Sequence, residues 1–171
     1  MYGIRGHMIF YIHVSKAAGM SDERIDIYTI GFTKKGAEKF FSLLASADIE
    51  RLVDVRIRNR SQLAGFAKRD DLIFFLREIL GVQYDHMEEL APTKELLDEW
   101  RDDEIEWTEY ENRFYNLLSD REVENTLSKE DFEENTVLLC SEHEPEHCHR
   151  RLVVDYLNEN WGGVEPIHLI D

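Results

Sequence analysis

Apolar residues along this chain follow two spacings, short unbroken runs and sets at i, i+3 and i+4, and the two kinds alternate. Ile27-Tyr28-Thr29-Ile30 is β-branched and aromatic and stops at Gly31, which predicts a short buried strand. Ala37, Phe40, Phe41 and Leu44 then mark one face of a helix. Leu52-Val53-Asp54-Val55 reads as a second buried strand, ending at Arg56. Leu72, Phe75, Leu76, Ile79 and Leu80 mark a second helix that Gly81 stops, and Val82-Gln83-Tyr84 forms a short third strand. The middle of the chain is helical. There Trp107, Tyr110, Phe114 and Leu117 share a face that reads as core, opposite a solvated acidic face. Thr136-Val137-Leu138-Leu139-Cys140 is apolar between polar flanks and is the clearest strand. Leu152, Val153, Tyr156 and Leu157 give the last long helix, closed by Gly162-Gly163, and Ile167-His168-Leu169-Ile170 a terminal strand. Strands alternating with helices predict a mainly parallel sheet with helices on both faces, a three-layer, Rossmann-like α/β fold.

At 171 residues and 43% hydrophobic content, the chain is the size of one ordinary domain and can build a real core. Residues 25–171 read as that single α/β domain. Residues 1–24 read as an N-terminal extension or a tag remnant and stand outside the fold argument. The apolar run 8–14 is too short to span a bilayer and lacks the flanks of a signal peptide. Two cysteines make no disulfide framework, so the expected location is the cytoplasm, with reduced thiols.

Charge narrows the partners. A net charge of −16 repels bulk nucleic acid and anionic membranes. The charge is uneven, however. Residues 51–69 carry six bases (Arg51, Arg56, Arg58, Arg60, Lys68, Arg69) against one acid, Asp54, whereas residues 86–146 carry twenty-one acids against five bases. The basic stretch is the segment through which a nucleic acid would bind. No membrane partner is expected.

In an open parallel sheet, ligands bind beyond the carboxyl ends of the strands. That rule selects Gly31-Phe32-Thr33, Arg56-Ile57-Arg58 and Cys140-Ser141-Glu142. Arg56 can fork onto a phosphate or carboxylate, with Arg58 and Ser61 extending the donor set and Asp54 holding Arg56 in place. Arg150 can face Arg56 across the sheet end, and Gly31 lets the backbone approach a ligand. Lys34 and Lys35, placed just inside the first helix, suit an anion there. Tyr84 can stack on a base or sugar and His86 can shuttle a proton; both also have packing readings.

Cys140 at a strand end, with Cys148, His149 and Arg150 opening the next helix, is a setting for a lowered thiol pKa. Cys140, Glu142 and His149 are accordingly the catalytic candidates, with a buried, inert Cys140 as the plain alternative. A phosphate cradle of the cysteine-phosphatase type needs arginine six positions after the cysteine. That position is Glu146, so such a cradle is not expected. Cys140, Glu142, His143, His147, Cys148 and His149 are six potential metal ligands in ten positions, but the cysteine spacing is longer than that of a zinc knuckle. No metal is assigned. A mixed site of Cys140, Cys148 and His149, completed by His168, is the alternative, with His143 and His147 read as solvated loop residues.

Several ordered motifs carry a resemblance. Thr29-Ile30-Gly31-Phe32, Val53-Asp54-Val55-Arg56 with Ser61, Gly81-Val82-Gln83-Tyr84-Asp85-His86 with Leu90-Ala91, Leu138-Leu139-Cys140-Ser141-Glu142 with Cys148-His149-Arg150, and Ile167-His168-Leu169 together resemble the domain of unknown function 488 family. Phe32, Asn59 and Ala91 stand where that family commonly has histidine, proline and glycine. The resemblance implies a fold and a site location and names no reaction or cofactor. The reading is an enzyme, a hydrolase or transferase, acting on an anionic or phosphorylated ligand such as a nucleotide or nucleic-acid end. A non-catalytic nucleic-acid or nucleotide-binding module and a metal-stabilised interaction domain are the alternatives.

Overall fold

A computed structural model describes residues 24–60 and 64–170. The expectation for the N-terminal extension therefore lies outside the described residues. The elements run β1 (Ile25–Gly31), α1 (Ala37–Ser46), β2 (Arg51–Asp54), α2 (Arg69–Phe75), β3 (Gln83–His86), α3 (Lys94–Arg101), α4 (Trp107–Asp120), α5 (Val123–Thr126), β4 (Thr136–Cys140), α6 (His149–Trp161) and β5 (Val164–Leu169). The sheet is parallel throughout, in the order β3-β2-β4-β1-β5.

Side-chain alternation along the central strands builds both faces. Leu52, Val137 and Leu139 point to the side of α1 and α2, where Phe40, Phe41, Leu44, Leu72 and Leu76 complete one buried cluster. Val53, Val55 and Leu138 point the other way, against Leu96, Tyr110, Phe114, Leu152 and Val153. Helices thus cover both faces, which is why β4 is buried at every position and reads as an unbroken apolar run.

Most expected elements appear with boundaries moved by a few residues. The helix expected over Leu72–Leu80 is α2 followed by a π-helical turn, Leu76–Leu80. Gly81 ends it at φ 70°, a left-handed conformation that glycine adopts without steric cost. The helical middle resolves into α3, α4 and α5, and the third buried position on α4 is Leu118, with Leu117 only half-buried. Lys34 and Lys35 precede α1, whose N-cap is Gly36, so they are not in the helix. Among the described residues no helix is long and apolar enough to cross a membrane.

One topological feature places the site. The connection leaving β2 crosses the α1/α2 face, and the one leaving β4 crosses the opposite face through α6. Because β2 and β4 are hydrogen-bonded neighbours, their diverging connections leave a crevice beyond their carboxyl ends.

Candidate functional site

The crevice is a cavity of about 190 Å³. Its floor is Cys140, the last residue of β4, with Cys148 at the N-cap of α6 and His149 in its first turn. Arg56 and Arg58 enter from the segment after β2, Arg101 from the end of α3, and Glu142 from the loop after β4. Trp100, Trp107, Tyr110 and His147 form an aromatic wall, with Trp107 stacked on Tyr110 at 5.1 Å and 5.0 Å from the His147 ring.

His149 is held from behind. Its Nε2–H donates to the Val55 carbonyl at 2.9 Å, which turns Nδ1 toward Cys140 Sγ, 3.6 Å away. Burial pushes the Cys140 thiol up, but the hydrogen bond from Cys148 and the charges of His149 and Arg150 prevail and hold it well below the ordinary thiol range. Cys148 moves well above that range, first through burial and then through its bond to Cys140. Burial works against the charged form of His149, and the neighbouring Cys140 outweighs it, so His149 is raised. One sulfur is thus set to carry negative charge while the other supports it. The sulfurs of Cys140 and Cys148 and a ring nitrogen of His149 lie within 4.8 Å of one another, and among the described residues they are the group able to hold a metal ion. His168 is not part of it: its Nδ1 bonds the Thr29 hydroxyl at 2.7 Å.

Residues 36–157 match the family model of a domain of unknown function, DUF488. The chain belongs to the DUF488 family. No match was found among curated proteins or among solved structures. The family model runs from the start of α1 into α6, and so it contains the segments after β2 and β4 that line the cavity.

Of the expected site residues, this DUF488 chain brings Arg56, Arg58, Cys140, Glu142 and His149 to one cavity. Gly31, Tyr84, His86 and Arg150 lie outside its lining, and Ser61 falls outside the described residues. Arg150 does not face Arg56. It is 1% exposed, and its guanidinium donates to the Glu142 carbonyl at 2.6 Å, the His143 carbonyl at 3.0 Å, Cys148 Sγ at 3.2 Å and the Thr29 hydroxyl at 3.4 Å. It braces the loop between β4 and α6. Gly31 serves that loop too, since the backbone it meets closely is the Glu142 carbonyl, not a ligand.

Arg56 is 3% exposed and forks onto Asp54, with Nε and Nη2 each 2.7 Å from a carboxylate oxygen and Nη1 on the Ala67 carbonyl. Its guanidinium also lies over the Phe32 ring at 5.3 Å, so the residue standing where the family commonly has histidine makes a cation–π contact here. Asn59 donates to both Asp54 and the Tyr84 hydroxyl. Tyr84 in turn donates to Asp54 at 2.7 Å, and His86 bonds the Arg56 carbonyl at 2.8 Å. Both β3 side chains therefore latch the segment carrying Arg56.

Tyr84→Phe should cost about 1.5–3 kcal/mol, the worth of a hydrogen bond to a charged group, measured by urea unfolding. Burial and then the Asp54 charge push the Tyr84 phenol above the ordinary tyrosine range. A raised pKa favours folding below the unfolded value, and this contribution is lost as pH rises past about 10. The stability gap between parent and Tyr84→Phe should accordingly narrow in alkaline solution.

The basic stretch does not form one face. Arg51 begins β2 and bonds Asp85 at 2.6 Å, while Arg56 is internal. Conversely, Arg101, Trp100, Trp107 and His147 line the cavity without having been expected there. Trp107 continues the stripe read as core, of which Tyr110 and Phe114 are buried, and His147 is the exposed loop residue expected, with its ring also set against Trp107. The available signal was Trp100-Arg101, an aromatic and a base inside a long acidic segment.

Proposed function

We propose that this protein is an enzyme, a hydrolase or transferase, acting on a small anionic ligand of the phosphorylated or nucleotide class bound in the cavity between β2 and β4. One observation carries the reading: a single cavity has a thiol–imidazole floor and an arginine rim at the point where the sheet's connections diverge. Its size favours a small ligand or the reacting end of a larger one, because sites for drug-sized molecules run to about 300–1,000 Å³.

The arginines divide by how firmly they are held. Arg56 and Arg150 are locked in internal bonds and shape the site. Arg58 and Arg101 instead pair with carboxylates near the surface, each at 3.3 Å, with Asp98 and Glu142 respectively. Exposed pairs of this kind are worth little, so an incoming anion can take the carboxylate's place. Release of Glu142 from Arg101 would then free it for acid–base work beside Cys140 and His149, the reacting end of the site.

The test is calorimetric titration with inorganic phosphate and a panel of nucleotides. Arg58→Ala and Arg101→Ala should each weaken binding about 10- to 100-fold, the worth of a charge-assisted hydrogen bond. Cys140→Ser should bind but no longer turn the ligand over. Arginine variants that fold normally and bind every ligand like the parent would sink the proposal.

A further inference from the structure

The cluster on the cavity floor carries more than the position of a reacting end. Its three donor atoms come from the end of β4 and the start of α6, and the loop between them is clamped by Arg150. Around a tetrahedral ion with metal–sulfur and metal–nitrogen bonds of about 2.3 and 2.0–2.1 Å, a sulfur and a nitrogen ligand sit about 3.6 Å apart. Cys140 Sγ and His149 Nδ1 are 3.6 Å apart, the separation of two ligands of one such ion.

The histidine is prepared in the way metal-binding histidines are. Its far nitrogen, Nε2, donates to a backbone carbonyl, which fixes the tautomer and points Nδ1 into the cluster. A second observation concerns the frame. Arg150 is buried and donates to the Glu142 and His143 carbonyls and to Cys148 Sγ at 3.2 Å, so one donor sulfur and the loop that joins the ligands are fixed by the same side chain.

We propose that Cys140, Cys148 and His149 bind one zinc-type divalent ion through their two sulfurs and Nδ1, leaving a fourth position open to the cavity. Soft sulfur with imidazole nitrogen selects this class of ion over magnesium or calcium. All three ligands line the cavity, so the fourth ligand is a water or the bound anion, as in catalytic rather than closed structural sites. The seven residues between the cysteines are no obstacle, because short knuckle spacings belong to closed sites on one turn, and here a strand end and a helix start are brought together by the sheet. The role of the open position rests on the cavity being the working site, whereas the ligand set does not.

The test uses the full chain, freed of metal and titrated with Co2+. Expected are one ion per chain, thiolate-to-cobalt charge transfer in the near ultraviolet, and the intense visible bands of a four-coordinate site. Added inorganic phosphate or imidazole should shift those bands. Cys148→Ser and His149→Ala should weaken Co2+ binding by at least about tenfold. Should these variants misfold, the parent supplies a second readout: Zn2+ should slow alkylation of both cysteines. Absent cobalt bands together with thiols that react equally fast with and without Zn2+ would overturn the ion, and bands indifferent to both added ligands would overturn the open position. The two proposals fail separately. A normal cobalt spectrum without binding of any phosphorylated ligand removes the enzyme reading alone, and ligand binding without cobalt bands removes the ion alone.

Discussion

Asp54→Ala should lower the unfolding free energy by about 3–5 kcal/mol, the cost of breaking a buried ion pair by removing one partner. For a chain of this length that corresponds to a melting point lower by roughly 10 °C. Asp54 is fully buried, and its two oxygens accept five bonds: from the Arg56 backbone N–H, from Arg56 Nε and Nη2, from Asn59 and from the Tyr84 hydroxyl. Alanine strands the Arg56 guanidinium, 3% exposed, without an anion. It also releases the β3 latch and the segment that carries Arg58 into the cavity. The measurement is urea unfolding, read from the midpoint with an unchanged slope. A double change, Asp54→Ala with Arg56→Met, should recover much of the loss, because the main penalty is the unpaired charge and not the missing attraction. A single-variant loss below about 1 kcal/mol would contradict this account of the pair.

Gly31→Ala is the second large effect. A methyl group on Gly31 would lie 1.6 Å from the Glu142 carbonyl oxygen, 2.7 Å from its carbon and 3.1 Å from Arg150 Nη1. Ordinary contact begins near 3.4 Å, so the loop after β4 would have to retreat. The cost is steric, not conformational, since Gly31 is absent from the positive-φ glycines, in contrast to Gly81. The carbonyl that must move is the one Arg150 clamps at 2.6 Å, and Gly31 is also the register partner of Cys140. We expect a loss of more than about 3 kcal/mol, beyond ordinary overpacking because backbone, not a side chain, is displaced. Cys140 and Cys148 should react faster with an alkylating agent as the floor of the cavity opens. Parent-like stability and parent-like thiol reactivity would show that the loop gives way more easily than its bonds imply.

These two positions show how far local pattern reaches. Asp54 and Arg56 could be read as a pair at a strand end because they are two residues apart, on one side of an extended chain. That Tyr84 and His86 serve the same pair could not be read, because β3 meets β2 only through sheet register, Leu52 against Tyr84 and Asp54 against His86. Gly31 drew attention for the freedom of a glycine, yet its neighbour is Glu142, over a hundred positions away. Arg101 and Trp107 reach the cavity because the end of α3 and the start of α4, packed on the same side of the sheet as α6, both line it. On a helix face, core packing and a pocket wall require the same apolar spacing, so periodicity cannot separate Tyr110, which is buried, from Trp107, which is partly open.

The order of strands and helices, the parallel sheet and the choice of carboxyl-end segments follow from the sequence alone, because the period of buried side chains and the handedness of crossovers are local rules. The tertiary structure decided the division of labour among the arginines, the bracing of the β4–α6 loop, and the convergence of Cys140, Cys148 and His149. Each of these depends on distances between residues that only the closed sheet brings together, and a buried charge or thiol takes its properties from those neighbours rather than from its place in the chain.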